Sequence, residues 1–109
     1  TASTSGIGAD PNMWPYNSAK AAVINLARGA ALDLGADRIN VNVVCPGPIE
    51  TGMTKGLAAL PPVYDSLRRA IPLQRWGRAD EVASVIVFLA SDYSSYMTGE
   101  VVAVSSQHP

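Results

Sequence analysis

Apolar residues recur at spacings of three and four between Tyr16 and Leu34, and this spacing predicts a helix. The members of the stripe are Ala19, Ala22, Val23, Leu26, Ala30 and Leu34. Alanine is frequent here, which favours a helix and leaves little side-chain bulk, so a neighbouring element can approach closely. Gly35 follows where a left-handed cap would end the helix. We expect this helix to run from about Tyr16 to Leu34.

A second clear helix is predicted after Gly77, where the helical spacing of apolar residues returns. Its buried stripe should consist of Val82, Val85, Ile86 and Leu89. Asp80 and Glu81 lie in its first turn, where the positive end of a helix favours carboxylates. The helix should end near residues 91 and 92.

Two segments with β-branched residues predict strands. Residues 39–45 read Ile-Asn-Val-Asn-Val-Val-Cys, and Pro46-Gly47-Pro48 ends this segment sharply. Residues 100–104 form the second, after a turn at Thr98-Gly99. Prolines punctuate the stretch between them, where one short helix is predicted over residues 63–70. The first fifteen residues and the last five read as loops.

Helices and strands thus alternate along the chain, which is typical of an α/β layered domain. The helix before the first strand makes a parallel sheet plausible. Two strands alone do not form a stable sheet, so both predicted strands should need neighbours from elsewhere.

Composition excludes several classes of protein. The 109 residues amount to one small domain at most, and 48% hydrophobic with 16% charged residues excludes a disordered chain or a coiled coil. A net charge of −1 leaves no electrostatic footprint for nucleic acid. No apolar run approaches the length of a membrane span, and no signal peptide is visible. We expect a cytoplasmic protein without a nucleic-acid or membrane partner.

The chain has one cysteine and one histidine, which limits its metal and sulfur chemistry. An internal disulfide is excluded, and these two residues cannot build a zinc site alone, so no metal site is predicted. Cys45 should be a small buried hydrophobe rather than a nucleophile. His108 should be a disordered terminal residue rather than a ligand or a catalytic base.

Tyr16 and Lys20 are four residues apart on the predicted helix, so their side chains should share one face. An ammonium group beside a phenol favours the phenolate and lowers the tyrosine pKa from about 10. A tyrosine of this kind can donate or accept a proton near neutral pH. Most pairs with this spacing are a half-buried tyrosine and a surface lysine, so the spacing alone indicates little.

The surrounding motifs resemble the short-chain dehydrogenase/reductase family. Residues 16–22, Tyr-Asn-Ser-Ala-Lys-Ala-Ala, resemble its active-site helix, and Ser3 stands thirteen residues before Tyr16, as the serine of that family does. Residues 38–51 resemble the strand and Pro-Gly loop that follow. Further matches lie at residues 71–78, 81–83, 88–92 and 96–99. The resemblance covers about residues 1 to 104 and implies an α/β fold, the C-terminal part of a Rossmann-type doubly wound parallel sheet.

This resemblance implies NAD- or NADP-linked oxidation of an alcohol or reduction of a carbonyl compound. Tyr16 would be the general acid or base, and Lys20 would lower its pKa and hydrogen-bond the nicotinamide ribose. Ser3 would donate a hydrogen bond to the reacting oxygen and orient it. Ser5, eleven residues before Tyr16, ranks second for the serine role, and Thr4 ranks third.

The loop after the first strand should hold the nicotinamide. Pro46 and Gly47 turn the chain and allow a close approach of the backbone, although an ordinary strand-ending turn would have the same residues. The resemblance places the backbone of Ile49 at the carboxamide, and the Thr51 hydroxyl at the carboxamide or the phosphates. Met13 and Trp14 could line the substrate pocket or anchor their loop. Residues 53–60 fall where the family has a mobile substrate-covering segment.

Two departures from the family pattern are visible. The phosphate-binding turn Thr-Gly-x-x-x-Gly-x-Gly is missing, since residues 5–8 resemble a scrap of it but follow no strand and precede Tyr16 too closely. The usual ending Val-Asp-Gly-Gly is replaced by Val-Ser-Ser-Gln-His-Pro, which puts contacts of this tail in doubt. We expect residues 1–109 to form the catalytic C-terminal half of one domain, without its nucleotide-binding N-terminal half.

Two functions stay open. In the first, the chain belongs to an enzyme acting on a small-molecule alcohol or carbonyl substrate, as a homodimer or homotetramer or together with a complementary N-terminal half. In the second, it is a catalytically silent fragment that acts as an oligomerisation or interaction module. The family dimerises through the helix that carries its tyrosine and lysine, and the alanine-rich stripe permits such packing. The isolated chain is expected to be inactive.

Overall fold

Helices surround two pairs of parallel strands in the computed structural model, which describes residues 1–52 and 54–106. In chain order the elements are α1 (Thr4–Ile7), α2 (Trp14–Leu34), β1 (Val43–Pro46), β2 (Ile49–Glu50), α3 (Lys55–Ala58), α4 (Pro61–Arg69), β3 (Gly77–Arg78), α5 (Ala79–Leu89) and β4 (Val101–Val104). Short 3₁₀ turns follow α2 at Gly35–Asp37 and α5 at Asp92–Ser94. No helix in these two ranges is both long and apolar enough to cross a bilayer.

The main sheet pairs β1 with β4 in parallel, with Val43 opposite Val101. The Ala2 N–H donates to the Val44 carbonyl oxygen at 2.8 Å, so the backbone before α1 lies along the other edge of β1. Strands β2 and β3 form a separate parallel pair. The predicted parallel arrangement is confirmed, and it brings the carboxyl ends of β1 and β4 to one edge.

A small core joins α2 to this sheet. Ala2, Ile24, Val43 and Cys45 are buried against one another, and Ala27 packs at the margin. Cys45 is fully buried, as predicted, and burial raises the pKa of its thiol above the ordinary value. Helix α2 is therefore held against β1 by apolar contacts close to its middle.

Helix α2 is confirmed, but the face that meets the sheet differs from the predicted stripe. Ile24 and Ala31 are buried, whereas Leu26 is 73% exposed. Four other predicted stripe positions, Ala19, Ala22, Val23 and Ala30, are exposed or half-buried. Because both faces of this helix are apolar, the spacing alone could not tell which one covers the sheet.

The predicted left-handed cap at Gly35 is wrong. Gly35 has a right-handed backbone with φ of −59°, and the left-handed residue is Arg38 with φ of 61°. The 3₁₀ turn continues the helical path past Gly35, so the chain reverses three residues later than expected.

Strand β1 is shorter than the predicted segment because asparagine side chains replace strand pairing before it. The Asn42 Nδ2 group donates to the Met97 carbonyl at 3.0 Å, and the Glu100 N–H donates to Asn42 Oδ1 at 3.1 Å. Asn40 likewise donates to the Ser95 carbonyl. These bonds satisfy the polar backbone that a longer ladder would otherwise pair.

Helix α5 begins as predicted, with its acidic first turn, but its buried stripe is narrower. Val82 is buried, Val85 and Leu89 are half-buried, and Ile86 is 43% exposed, so its predicted burial is wrong. Within the described residues α5 packs against β1, β3 and β4, and Ile86 lies on the side of the helix that these strands leave uncovered.

Candidate active site

Ser3 lies where the backbone leaves the edge of β1 and enters α1. It is 8% exposed, and its Oγ accepts a hydrogen bond from the Ser5 N–H at 3.1 Å, which caps the short helix. The predicted loop is therefore a one-turn helix at this point. Because a hydroxyl both donates and accepts, this cap uses one lone pair of Ser3 Oγ and leaves its proton available.

Gly6 brings α1 into direct contact with the backbone of α2. A Cβ at this position would lie 2.7 Å from the Lys20 carbonyl carbon and 2.8 Å from the Ala21 nitrogen. Only glycine allows this approach without a shift of one helix. The contact fixes the segment that carries Ser3 relative to the helix that carries Tyr16 and Lys20.

Tyr16 and Lys20 share one face of α2, as their spacing predicts. The Lys20 Nζ atom lies 5.7 Å from the centre of the Tyr16 ring, and both side chains are half-buried. Pro15 stands at the start of the helix, where its missing N–H costs nothing. The first turns of α2 thus present a phenol and an ammonium group together.

A cavity of 470 Å³ opens beside these residues, and Ser3, Tyr16 and Gly47 line it. Gly47 directly follows β1, so the cavity lies at the carboxyl edge of the parallel strands. Ligands bind at this edge in open α/β sheets. Three of the predicted site residues therefore meet at one cavity.

The other predicted site residues lie outside the wall of this cavity. The Pro46 carbonyl accepts a hydrogen bond from Thr4 Oγ1 at 3.3 Å. Thr4, the third candidate for the serine role, itself lines the cavity, as Ser5 does. Ile49 lines a neighbouring cavity of 130 Å³, and Thr51 lines an open depression of 220 Å³. Lys20 reaches Tyr16 from beside the cavity.

One wall of the cavity is apolar and was not predicted. Leu67 of α4, Ile71 and Trp76 contribute to it, and Met13 lines it near Tyr16. Trp76 is 6% exposed and stacks on Tyr64, with ring centres 5.4 Å apart and planes 6° from parallel. Its indole N–H has no hydrogen-bond partner within residues 1–52 and 54–106. Of the two residues whose role stayed open, Met13 lines the cavity and Trp14 is 81% exposed.

The segment expected to cover the substrate is described only in part. Thr54 lines the cavity, whereas Met53 lies outside the described residues. His108 also lies outside them. Leu67 of helix α4, just beyond this segment, lines the cavity as well.

Polar groups complete the cavity wall, and sequence reasoning missed most of them. Ser5 Oγ donates to the carboxylate of Asp10, and both residues line the cavity. Ser105 and Ser106, from the tail that departs from the family ending, line it as well. Ser106 Oγ accepts a hydrogen bond from the Leu73 N–H at 3.0 Å. No group of three or more metal-ligating side chains occurs among the described residues.

Comparison with known proteins identifies the family and the fold. A family model described as enoyl-(acyl carrier protein) reductase matches residues 1–106. The meso-2,3-butanediol dehydrogenase of Serratia marcescens is 43% identical over 99 residues, which cover 91% of this chain and 39% of that protein. The chain thus spans well under half the length of this curated relative.

Two solved structures share the fold. NAD⁺-bound xylitol dehydrogenase matches with a TM-score of 0.88 at 32% identity, over 97% of this chain and 46% of that one. The RhlG protein of Pseudomonas aeruginosa, in an active-site complex with NADP, matches with a TM-score of 0.88 at 36% identity, over 96% and 43%. The Rossmann-type α/β fold is therefore confirmed, and the chain belongs to the short-chain dehydrogenase/reductase family of oxidoreductases.

Proposed function

We propose that this chain supplies the proton-transfer half of an NAD- or NADP-dependent enzyme that interconverts an alcohol and a ketone or aldehyde. The observation that carries the proposal is the meeting of Ser3 and Tyr16 at one cavity, with the Lys20 ammonium 5.7 Å from the Tyr16 ring. Two hydroxyl groups line the cavity in which an alkoxide would develop, and an ammonium group lies beside one of them. Donors placed in this way would stabilise the transition state directly.

Tyr16 is the proton-transfer residue in this mechanism. During oxidation its oxygen takes the hydroxyl proton of the substrate while a hydride leaves the carbon that bears this hydroxyl, and during reduction it returns the proton to the alkoxide oxygen. A nicotinamide held at this site would accept or supply the hydride. Lys20 lies beside this phenol, with its Nζ atom 5.7 Å from the ring centre, and would hydrogen-bond the nicotinamide ribose.

Ser3 orients the reacting oxygen. Its proton is available for donation because its cap to the Ser5 N–H uses a lone pair only. Ser5 is a weaker candidate for this role because its own hydroxyl donates to Asp10. The order of preference from the sequence, Ser3 before Ser5, is therefore kept.

NAD or NADP fits the residues at the carboxyl edge of the sheet. Gly47 lies so close to Ser105 that a Cβ at position 47 would be 2.5 Å from the Ser105 Oγ atom. The turn after β1 therefore has no side chain at this position of the edge. Thr51 is exposed there with its hydroxyl, and Lys20 supplies an ammonium group for a ribose. The residues that would hold the nicotinamide end are Tyr16, Lys20, Pro46, Gly47, Ile49 and Thr51. The pyrophosphate would need a glycine-rich turn, and Gly6 cannot serve because it packs against α2.

The alternative, a silent oligomerisation module, is favoured by the exposed apolar face of α2. Leu26 is 73% and Leu32 is 87% exposed, and Gly29 has open space around it. A second copy of the chain or a complementary N-terminal half would cover this face in either proposal. The two proposals differ only in whether the protein converts a substrate.

The test replaces Tyr16 by phenylalanine in the chain expressed with any sequence that precedes Thr1 in its gene. Loss of the phenol should lower kcat/KM for a secondary alcohol by about 100- to 10,000-fold, because proton transfer by a positioned group contributes that much. Turnover is followed by the absorbance of the reduced nicotinamide. Tyr96→Phe is the matched control, since Tyr96 is fully exposed. Equal turnover in Tyr16→Phe and Tyr96→Phe would refute the mechanism.

A further inference from the structure

The apolar wall of the cavity has no part in the proton transfer, yet it borders the same space as Tyr16. Met13 of this wall precedes α2, Leu67 lies on α4, and Trp76 lies in the loop before β3. The described lining residues include no lysine or arginine, so the cavity offers no cation to an anionic group. An apolar group of a substrate would be stabilised at this wall, because its surface would leave water there.

Trp76 is the largest side chain of this wall, and packing orients its ring. The residue is 6% exposed, and its indole N–H has no hydrogen-bond partner within residues 1–52 and 54–106. A buried tryptophan usually finds a hydrogen bond for this group. Here the orientation of the ring depends on its neighbours instead, and Tyr64 stacks on it with ring centres 5.4 Å apart.

A hydrogen bond fixes the Tyr64 ring that stacks on Trp76. The Tyr64 hydroxyl donates to Glu50 Oε1 at 2.5 Å, and this bond raises the pKa of the phenol, so the phenol keeps its proton at neutral pH. Glu50 lies on β2 opposite Arg78 of β3, which is two residues after Trp76. The contacts therefore run from α4 to β2, across to β3, and back to α4 through the stacked rings. Leu67 lies one turn after Tyr64 on α4, so the same bond also positions the cavity-lining part of this helix.

We propose that Tyr64 is a positioning residue that holds Trp76 and α4 in place, and that the wall they form selects secondary alcohols and ketones with an apolar chain on one side of the reacting carbon. Tyr64 acts through Trp76 in this role, since it lines the depression beside Thr51 and not the cavity. Loss of its hydroxyl loosens the stacked rings, while the proton-transfer residues keep their places. A long apolar chain then loses contacts with the wall, whereas a methyl group too short to reach it loses none. This inference rests on the proposed oxidoreductase function.

The experiment compares kcat/KM for 2-octanol and for 2-propanol, which differ in the length of one alkyl chain. It uses the chain expressed with any sequence that precedes Thr1 in its gene. We expect the ratio of the two constants to fall about 3- to 10-fold in Tyr64→Phe, because one hydrogen bond is lost. The change should lie in KM for 2-octanol, with kcat for 2-propanol unchanged. Tyr93→Phe is the matched control, since Tyr93 is exposed in the 3₁₀ turn after α5, and its ratio should equal that of the wild type.

Glu50 provides a second set of variants for the same bond. Glu50→Ala removes the acceptor and should lower the ratio as Tyr64→Phe does. The double variant should show no further loss, because both substitutions remove one and the same interaction. Glu50→Gln keeps a carbonyl acceptor and should retain the ratio of the wild type.

The fluorescence of Trp76 separates positioning of the wall from other effects on turnover. In a Trp14→Phe background Trp76 is the remaining tryptophan, and its quenching by acrylamide should increase in Tyr64→Phe but not in Tyr93→Phe. An unchanged ratio in Tyr64→Phe, or a lower ratio with unchanged quenching, would overturn this inference and leave the oxidoreductase function standing. Oxidation of neither alcohol by the wild type would overturn both.

Discussion

Gly6 determines at the residue scale how the catalytic groups are spaced. A Cβ at Gly6 would contact backbone atoms of Lys20 and Ala21 in α2. Backbone atoms of a helix cannot move away as the end of a flexible side chain can. The separation of Ser3 from Tyr16 therefore depends on a residue without any functional group. Substitution at this position tests the geometry of the site while leaving every proposed catalytic side chain in place.

We expect Gly6→Ala to destabilise the protein by about 1–3 kcal/mol, because an added methyl group in a packed contact forces a backbone shift. It should also lower kcat, since α1 and α2 separate. Thermal unfolding and steady-state kinetics measure the two effects. Gly35→Ala is the matched control: Gly35 has a right-handed backbone with φ of −59° and nothing near its missing Cβ, so alanine should raise the stability by about 0.4–1 kcal/mol. A Gly6→Ala protein as stable and active as Gly35→Ala would contradict the role of this contact.

Sequence reasoning found Tyr16 and Lys20 because helical spacing is local, and Ser3 because its offset from Tyr16 matches a known family. It missed Asp10 because the link from Asp10 to Ser5 and Asn17 requires the reversal of the chain between α1 and α2. It also missed Trp76, sixty residues from Tyr16, because only tertiary packing brings that ring to the cavity. The roles given to Ser3, Tyr16 and Lys20 stay predictions.

At the element scale, the start of α5 depends on one carboxylate. Glu81 accepts two bonds from the Arg75 guanidinium, at 2.8 and 3.0 Å, and one from the Arg78 N–H at 3.0 Å. These donors lower the pKa of Glu81 to about 2, with the Arg75 hydrogen bonds as the main cause. The same residues position the loop that carries Trp76, so the charge of Glu81 acts on the cavity wall as well as on the helix.

The lowered pKa predicts a stability change in acid. In the unfolded chain Glu81 titrates near its ordinary pKa of about 4.3, above its folded value. Its contribution is therefore fully present above pH 4.3 and is lost as the pH falls towards 2. Urea unfolding at a series of pH values should show a smaller loss of stability over this range in Glu81→Gln than in the wild type. Glu100→Gln, at an exposed position, should behave as the wild type does, and an identical acid loss in all three proteins would contradict the ion pair.

The two long helices show why element positions were predictable and their buried faces were not. Periodicity and the acidic first turn located α2 and α5 to within three residues. The buried face of α2 was misassigned because apolar residues lie on more than one face of this helix. Which face is buried depends on the element that lies opposite it. Ile86 on α5 is exposed for the same reason.

At the scale of the whole molecule, the chain exposes more surface than a globule of its mass. Its accessible surface is 7421 Å², whereas a folded monomer of 11.4 kDa exposes about 5,800 Å². The radius of gyration of 15.3 Å likewise exceeds the value of about 13 Å for a compact chain of this length. The low charge fraction of the sequence therefore corresponds to apolar helix faces that are uncovered here.

If another copy of the chain covers the α2 face, the protein should be an oligomer. The protein to be tested is the chain expressed with any sequence that precedes Thr1 in its gene. We expect an oligomer in solution, and Leu26→Lys should dissociate it, because a buried ammonium group without a partner is costly. Light scattering after size-exclusion chromatography measures the mass of each protein. Leu73→Lys is the matched control, since Leu73 is 65% exposed and lies outside α2. If Leu26→Lys keeps the mass of the oligomer, the 73% exposed Leu26 is not at the interface between copies, and the α2 face must be covered within one protomer.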